Sequence, residues 1–131
     1  MKKLLISISL LLSATVFSAE IKSDKGSMEF PELNIEKVNG ATYVALANKT
    51  GEAYIFGLAN DVILDVKKGV IQEEVIGFHD SLDENSLNAE LYNVSYFEDK
   101  LSVKPTYEDF IIYFTPDETN RIFETATGGN R

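Results

Sequence analysis

Two apolar runs separated by a short polar segment dominate the hydrophobic pattern of the chain. The first extends from Gly40 to Ala47 and the second from Glu52 to Asn60. Asn48 suits the first position of a type I turn and Gly51 supplies a positive φ, so the pattern predicts a β-hairpin with a three-residue loop. This loop fixes the register and predicts two sets of cross-strand pairs. One set is bulky (Leu46–Tyr54, Val44–Phe56, Thr42–Leu58), and the other is small (Ala47–Ala53, Ala45–Ile55, Tyr43–Gly57, Ala41–Ala59).

Both faces of this hairpin are largely apolar, and the ring of Tyr43 is expected to lie over Gly57. A hairpin that is apolar on both faces is typical of the centre of a fold, covered on each side by other elements. We therefore expect the remaining chain to wrap around it.

The remaining pattern predicts further strands and one helix. Alternating or continuous apolar residues favour strands at Met28–Val38 (broken by Pro31), Val62–Val66, Val70–Phe78, Tyr92–Tyr96, Leu101–Val103 and Phe110–Phe114. Helix competes with strand over residues 62–70, because Val62, Val66 and Val70 repeat every fourth residue, but the density of β-branched residues favours strand. Residues 79–90 lack strand alternation and are expected to form a loop or a short helix that begins at Ser81.

The sharpest helix start is Thr115-Pro116-Asp117-Glu118. Threonine is a good N-cap, proline is tolerated at the first helical position, and Glu118 can complete a capping box. Gly128 supplies a stop, so a helix is predicted to about Thr127 and to dock on the small face of the hairpin. The predicted fold class is mainly β (α+β): an antiparallel β-sandwich or strongly curved sheet of about seven strands with one short C-terminal helix.

The N-terminal 19 residues have the layout of a secretory signal peptide. Lys2 and Lys3 precede an apolar stretch from Leu4 to Leu12, and mostly small residues follow up to Ala19. The apolar stretch is shorter than the ~20 residues of a membrane span, so no stable membrane anchor is expected after cleavage. We expect cleavage after Ala19, with cleavage after Ser18 as the alternative, and one globular domain over residues 20–131. This predicts an exported protein, periplasmic or extracellular, and the sequence opening favours a bacterial source.

The net charge of the chain limits the class of partner that we expect it to bind. The chain has a formal net charge of −9, and removal of the two signal-peptide lysines makes it −11. Such a domain is a poor match for nucleic acid, whose phosphates need clustered Lys and Arg. Acidic surfaces favour solubility, and they also steer association with basic proteins. Cysteine is absent, which excludes disulfides and thiolate chemistry.

Few residues of the chain are candidates for binding, metal ligation or catalysis. The sole histidine, His79, opens an acidic segment with Asp80, Asp83, Glu84 and Asn85, which we predict to be the partner-binding site. Calcium binding by that segment is an alternative, although its spacing lacks the glycine and terminal glutamate of the recognised calcium loop. No nucleophile elbow accompanies the single histidine, so a hydrolytic triad is not expected. We predict neither a cofactor nor a metal, and a protein that is not an enzyme.

These observations favour an exported, acidic, protein-binding domain, such as an inhibitor or immunity protein acting on a cationic envelope enzyme or toxin. The alternative is a carrier of small hydrophobic ligands, with an apolar cavity lined by Val44, Tyr54 and Phe56. An exposed edge at Met28–Val38 or Val70–Phe78 would also permit homodimerisation by strand pairing.

Overall fold

A computed structural model describes residues 18–81 and 86–128 of the chain. The described residues form one antiparallel sheet of nine strands and two helices. In chain order these are β1 (Ala19–Ser23), β2 (Gly26–Phe30), β3 (Glu32–Val38), β4 (Ala41–Ala47), β5 (Ala53–Ala59), α1 (Asn60–Lys67), β6 (Gln72–Ser81), β7 (Ser86–Phe97), β8 (Lys100–Pro105), β9 (Ile111–Tyr113) and α2 (Pro116–Thr127). The predicted fold class is confirmed, with nine strands instead of about seven.

The β4–β5 hairpin has the predicted register throughout, from Ala41 opposite Ala59 to Ala47 opposite Ala53. Gly51 adopts φ +96°, and the Asn48 N–H donates to the Glu52 carbonyl at 3.1 Å. The Asn48 side chain also accepts hydrogen bonds from the backbone N–H groups of Thr50 and Glu52. Local turn chemistry therefore fixes this hairpin, as expected for an Asx-turn.

The sheet is curved almost into a closed barrel. Its strand order is β2-β1-β9-β8-β7-β6-β5-β4-β3, so β2 and β3 lie at opposite edges although only Pro31 separates them in sequence. The single broken strand predicted at Met28–Val38 is thus two strands, since proline interrupts ladder pairing. The segment predicted at Val70–Phe78 is central in the sheet, between β5 and β7, and is not an edge.

The strand predicted at Val62–Val66 is wrong, because this segment forms helix α1. Burial of Ile63 and Val66 in the core prevails over β-branched propensity, whereas Val62 is only half-buried and Val70 lies exposed beyond the helix. Tertiary contacts hold its start: the Thr42 hydroxyl donates to Asn60 Oδ1 at 2.6 Å, and the Asn60 N–H donates to the Gly40 carbonyl at 2.9 Å.

Two segments predicted to be irregular are strands. Residues 79–81 and 86–90, within the predicted loop or short helix, belong to the β6–β7 hairpin. The predicted helix start at Ser81 is wrong, because Ser81 is the last residue of β6. The polar N-terminal residues 20–23, for which no strand was predicted, lie in β1, which pairs with both β2 and β9. In the β6–β7 hairpin the inner face carries His79 and Glu90 instead of apolar residues, so the usual alternation of apolar inward and polar outward positions is missing from its sequence.

Helix α2 has the predicted N-terminal capping box. The Thr115 Oγ1 atom accepts from the Glu118 N–H at 3.1 Å, and Glu118 Oε1 accepts from the Thr115 N–H at 3.0 Å. Gly128, at φ +83°, ends the helix.

The side of the hairpin to which α2 docks differs from the prediction. Ile122, Phe123 and Ala126 join a core cluster that contains Val44 and Phe56 from the bulky face of the hairpin. Packing on bulky side chains removes more apolar area from water than packing on alanines would. The small face of the hairpin is therefore the outer face of the sheet, and the expectation of cover on both faces is wrong.

Neither of the two described helices has the length and apolar character needed to cross a membrane.

Candidate functional site

The outer face of strands β4 to β7 carries a continuous apolar surface. Cross-strand pairing places Tyr43, Gly57, Phe78 and Ala89 in one row and Ile76 beside Leu91 in the next. We call this surface the outer apolar face and define it by six side chains: Tyr43, Ile55, Ile76, Phe78, Ala89 and Leu91. Ile76 is 63% exposed and Phe78 is 38% exposed. Exposed apolar side chains that adjoin one another mark an interaction surface more often than scattered ones do.

A glycine leaves room for an aromatic ring on this surface. A Cβ atom on Gly57 would lie 2.5 Å from Cε2 of Tyr43, so the tyrosine ring lies directly over the glycine as predicted. Both helices contribute to the core cluster on the opposite, inner face of the sheet. The outer apolar face is consequently left to solvent by the described part of the chain.

Carboxylates near this face have few intramolecular cationic partners. Within residues 18–81 and 86–128, ion pairs join only Lys22 to Glu20 and His79 to Glu90. Glu73 and Glu74 are exposed where β6 begins, and the register of β6 against β7 shifts there. Glu74 adopts φ +54°, and its N–H donates to Asn93 Oδ1 at 2.8 Å. This irregularity fixes two acids at one end of the outer apolar face.

Lys104, a basic residue opposite Asn93 of β7, forms its hydrogen bonds within the chain. The ammonium of Lys104, on β8, donates to the carbonyls of Pro105, Thr106 and Glu108 at 2.8–3.2 Å. These bonds hold the β8–β9 connection and direct the positive charge toward backbone oxygens. Lys104 is thus engaged within the chain, whereas Glu73 and Glu74 are exposed and Glu36 lies opposite Tyr43.

A second cluster lies on the inner face of the same strands. His79 Nε2 is 3.4 Å from Glu90 Oε1, and the His79 ring is nearly parallel to that of Tyr54 with 6.5 Å between centroids. The hydroxyls of Tyr54 and Tyr92 are 3.1 Å apart, and Phe110 packs edge-on against Tyr54. We call His79, Glu90, Tyr54 and Tyr92 the inner polar cluster.

Burial determines the protonation of this cluster. It raises the pKa of Glu90, against the opposing effect of His79, and the charge of Glu108 adds to the rise. Burial likewise raises the pKa of Tyr54 to about 12, although its hydrogen bond with Tyr92 opposes this. The pKa of Tyr92 is raised even more strongly, again chiefly by burial. The two phenols are therefore neutral at physiological pH and act as a hydrogen-bonded pair within the core.

The predicted site residues are placed differently from expectation. His79 belongs to strand β6 and faces inward, where it contacts Glu90 and Tyr54. Asp80 follows it in the same strand, with its backbone paired to Leu87. Asp83, Glu84 and Asn85 lie outside the described residues. Among the described residues, no group of three or more histidine and acidic side chains is arranged to hold a metal ion.

Sequence reasoning missed Glu90, the partner of His79, and the outer apolar face. Both follow from the register of β6 against β7, which places Gly77 opposite Glu90 and Ile76 opposite Leu91. The signal was the alternation of Ile76, Phe78 and Asp80 with Gly77 and His79, which continues the strand past the predicted end at Phe78.

The residues predicted to line a ligand cavity are part of the packed core. Val44 and Phe56 are fully buried, and the ring of Phe56 contacts those of Tyr92 and Phe114. An open groove of about 450 Å³ lies elsewhere, lined by Ser18, Glu20, Glu29, Lys100, Tyr113 and Thr115 among others. The described packing thus favours surface recognition over carriage of a ligand inside the sheet.

Comparison of the chain with models of protein families, with curated proteins and with solved structures found no significant match.

Proposed function

We propose that this protein is an exported, non-enzymatic binding domain that recognises a basic protein through its outer apolar face. The observation that supports this most strongly is the unbroken row of Tyr43, Gly57, Phe78 and Ala89 across four strands, with exposed Ile76 beside it. An inhibitor or immunity protein that acts on a cationic envelope enzyme or toxin fits this description.

The arrangement of apolar and acidic groups supports a protein partner. Protein interfaces combine an apolar centre with a polar rim, and aromatic residues are enriched at the centre. Here Tyr43 and Phe78 supply the aromatic groups, while Glu73 and Glu74 are exposed at one end of β6. The outer side of a curved sheet suits a folded partner better than a small ligand, which is usually held in a concave pocket.

Charge supports a basic partner. The net charge of −9 and the small number of described ion pairs leave most carboxylates available to an incoming cation. Complementary charge raises the association rate and makes it sensitive to salt, whereas the apolar contacts determine most of the lifetime of the complex.

The β6–β7 hairpin supplies a further contact region. Described pairing of β6 with β5 ends at His79, and pairing of β7 with β8 begins only at Tyr92. Beyond those points the described residues of β6 and β7 pair only with each other, so each strand has an unpaired backbone edge. We propose that these edges and the predicted partner-binding residues Asp80, Asp83 and Glu84 contact the partner.

The test is capture, identification and measurement of affinity. The exported protein would be immobilised and exposed to envelope extracts at low salt, and the captured protein would be identified, purified and titrated against variants. Ile76→Ser with Phe78→Ser should weaken binding about tenfold or more, as expected for loss of apolar hot-spot residues. The matched control is Met28→Ser with Phe97→Ser, two exposed apolar residues on β2 and at the far end of β7 that belong to neither row of the outer apolar face. It should change the affinity by less than about twofold.

Charge is tested separately. Asp80→Asn, Asp83→Asn and Glu84→Gln together should slow association and reduce its salt dependence. The control is Asp24→Asn, Asp61→Asn and Glu124→Gln, which removes the same charge from exposed positions in the β1–β2 turn and the two helices. Equal effects of the apolar pair and its control, or retention of no specific protein, would contradict the proposal.

A further inference from the structure

The first residue of β1 is a core residue. Ala19 is 0% exposed, belongs to the core cluster and pairs with the buried Phe30 of β2. Cleavage of a signal peptide after Ala19 would remove this methyl group from the core and shorten the first strand. Cleavage after Ser18 would keep both.

The nitrogen of Ala19 lies beside a buried carboxylate. It donates to Glu118 Oε2 at 3.2 Å, and Glu118 is only 6% exposed. The other carboxylate oxygen, Oε1, accepts from the Thr115 N–H within the capping box. Both hydrogen bonds come from backbone N–H groups, and no ion pair to Glu118 occurs among residues 18–81 and 86–128. A buried carboxylate is far better accommodated when a cation is placed against it.

Ser18 lies where the chain leaves the core. It is half-buried and lines the open groove together with Glu20, Glu29 and Tyr113. The Ser18–Ala19 peptide bond is therefore at the boundary between the core and this groove. Water in the groove can reach a terminal amine at Ala19 and hydrate the protons that do not face Glu118.

We propose that Ala19 is the first residue of the exported protein and that its α-ammonium forms a buried ion pair with Glu118. The inference rests on the proposed export of the chain. Hydrolysis of the Ser18–Ala19 bond by an export peptidase consumes one water molecule, leaves a carboxylate on Ser18 and leaves a protonated amine on Ala19. Ser18 and Val16 then occupy the two positions at which such peptidases require small or compact residues.

Cleavage of the Ser18–Ala19 bond would affect the stability of the folded protein as well as the length of the chain. Before cleavage, the Glu118 carboxylate accepts from a neutral amide at Ala19. After cleavage the same nitrogen carries a positive charge, so the hydrogen bond becomes charge-assisted. The ion pair joins the start of β1 to the first turn of α2, two segments 99 residues apart in sequence.

The position of cleavage is tested by producing the 131-residue chain in an exporting bacterium and determining the intact mass and N-terminal sequence of the exported product. A product that begins Ala19-Glu20-Ile21 is expected. A product that begins at Glu20 would overturn this inference and leave export standing, whereas an uncleaved, retained chain would overturn both.

The ion pair is tested by the rate at which an acylating reagent modifies the Ala19 amine of the exported protein near neutral pH. Glu118→Gln keeps one carbonyl oxygen that can accept from the Thr115 N–H in the capping box, but it replaces the other oxygen by an NH2 group and removes the charge beside Ala19, so the rate should rise about tenfold if the pair was worth one pKa unit. Glu29→Gln, which alters a residue lining the same groove, should leave the rate unchanged. Modification of Lys22 and Lys100 monitors general loosening. Equal rates in wild type and Glu118→Gln would overturn the ion pair.

Discussion

At the scale of single residues, the inner polar cluster shows how burial changes the pKa of a tyrosine from its ordinary value. Tyr54 is surrounded by Phe56, Phe110 and His79, and its hydroxyl pairs with that of Tyr92. Ionisation of either phenol would place a negative charge in this environment close to Glu90. The cluster therefore depends on both tyrosines remaining protonated.

Alkaline pH should destabilise the protein through these phenols. The pKa of Tyr54 is about 12 in the folded protein, against an ordinary value of 10. Its stabilising contribution is complete below pH 10 and is lost as the pH rises toward 12, because the unfolded state releases its proton first. Tyr54 should account for roughly 1–2 kcal/mol of this loss after allowance for solvent screening. Urea unfolding between pH 9 and pH 12 measures it.

The double substitution Tyr54→Phe and Tyr92→Phe removes both titrating groups without leaving one hydroxyl unpaired. It should flatten the alkaline part of the stability profile. Tyr107→Phe is the control, because Tyr107 is 77% exposed. A double variant that loses stability as steeply as wild type would show that other groups govern alkaline unfolding.

At the scale of elements, two glycines determine how closely β5, β6 and β7 pack. A Cβ on Gly77 would lie 2.6 Å from Cδ2 of Tyr92 and 2.7 Å from the Gly57 carbonyl oxygen. Tyr92 is fully buried and the carbonyl belongs to the backbone, so neither can move away easily. The Cβ of an alanine at position 57 would instead meet the half-buried ring of Tyr43, which can rotate toward solvent.

Gly77→Ala should therefore reduce the free energy of unfolding by about 2–3 kcal/mol, and Gly57→Ala by about 1 kcal/mol. Gly40→Ala should have an effect within about 0.5 kcal/mol, since nothing lies within 4 Å of its Cβ position and its φ is not positive. Urea denaturation of the three variants tests this order. Equal losses at positions 40 and 77 would contradict the close packing.

The elements that sequence predicts well are those that local chemistry fixes. The Asn48–Gly51 loop and the Thr115–Glu118 capping box are correct in detail, because all their determinants lie within a few residues. Helix α1 was predicted as a strand because its contacts with Gly40 and Thr42 are tertiary. For the same reason His79 was identified as a candidate residue while its partner Glu90 was missed, since only the strand register brings them together.

At the scale of the whole molecule, the net charge of the chain and the curvature of the sheet both affect association with other molecules. The edge strands β2 and β3 are joined through Pro31 but do not pair with each other, so each keeps an unpaired edge in the described residues and homodimerisation through an edge stays a prediction. The net charge of −9 opposes association of identical copies. The same features leave the outer apolar face available to a partner of opposite charge.

That net charge should also make stability depend on salt. At pH 7 the carboxylates repel one another, and among the described residues Lys22–Glu20 is the only lysine or arginine ion pair that offsets this repulsion. Raising NaCl from about 0.01 M to about 0.5 M shortens the Debye length from about 30 Å to less than 10 Å, so most of this repulsion is screened. We expect the midpoint of thermal unfolding to rise by about 4 °C or more, equivalent to roughly 1 kcal/mol. The control is the same salt change near pH 4.5, close to the isoelectric point, where the rise should be much smaller. An equal rise at both pH values would assign the effect to salting-out of apolar surface instead, and the outer apolar face would then be its first candidate source.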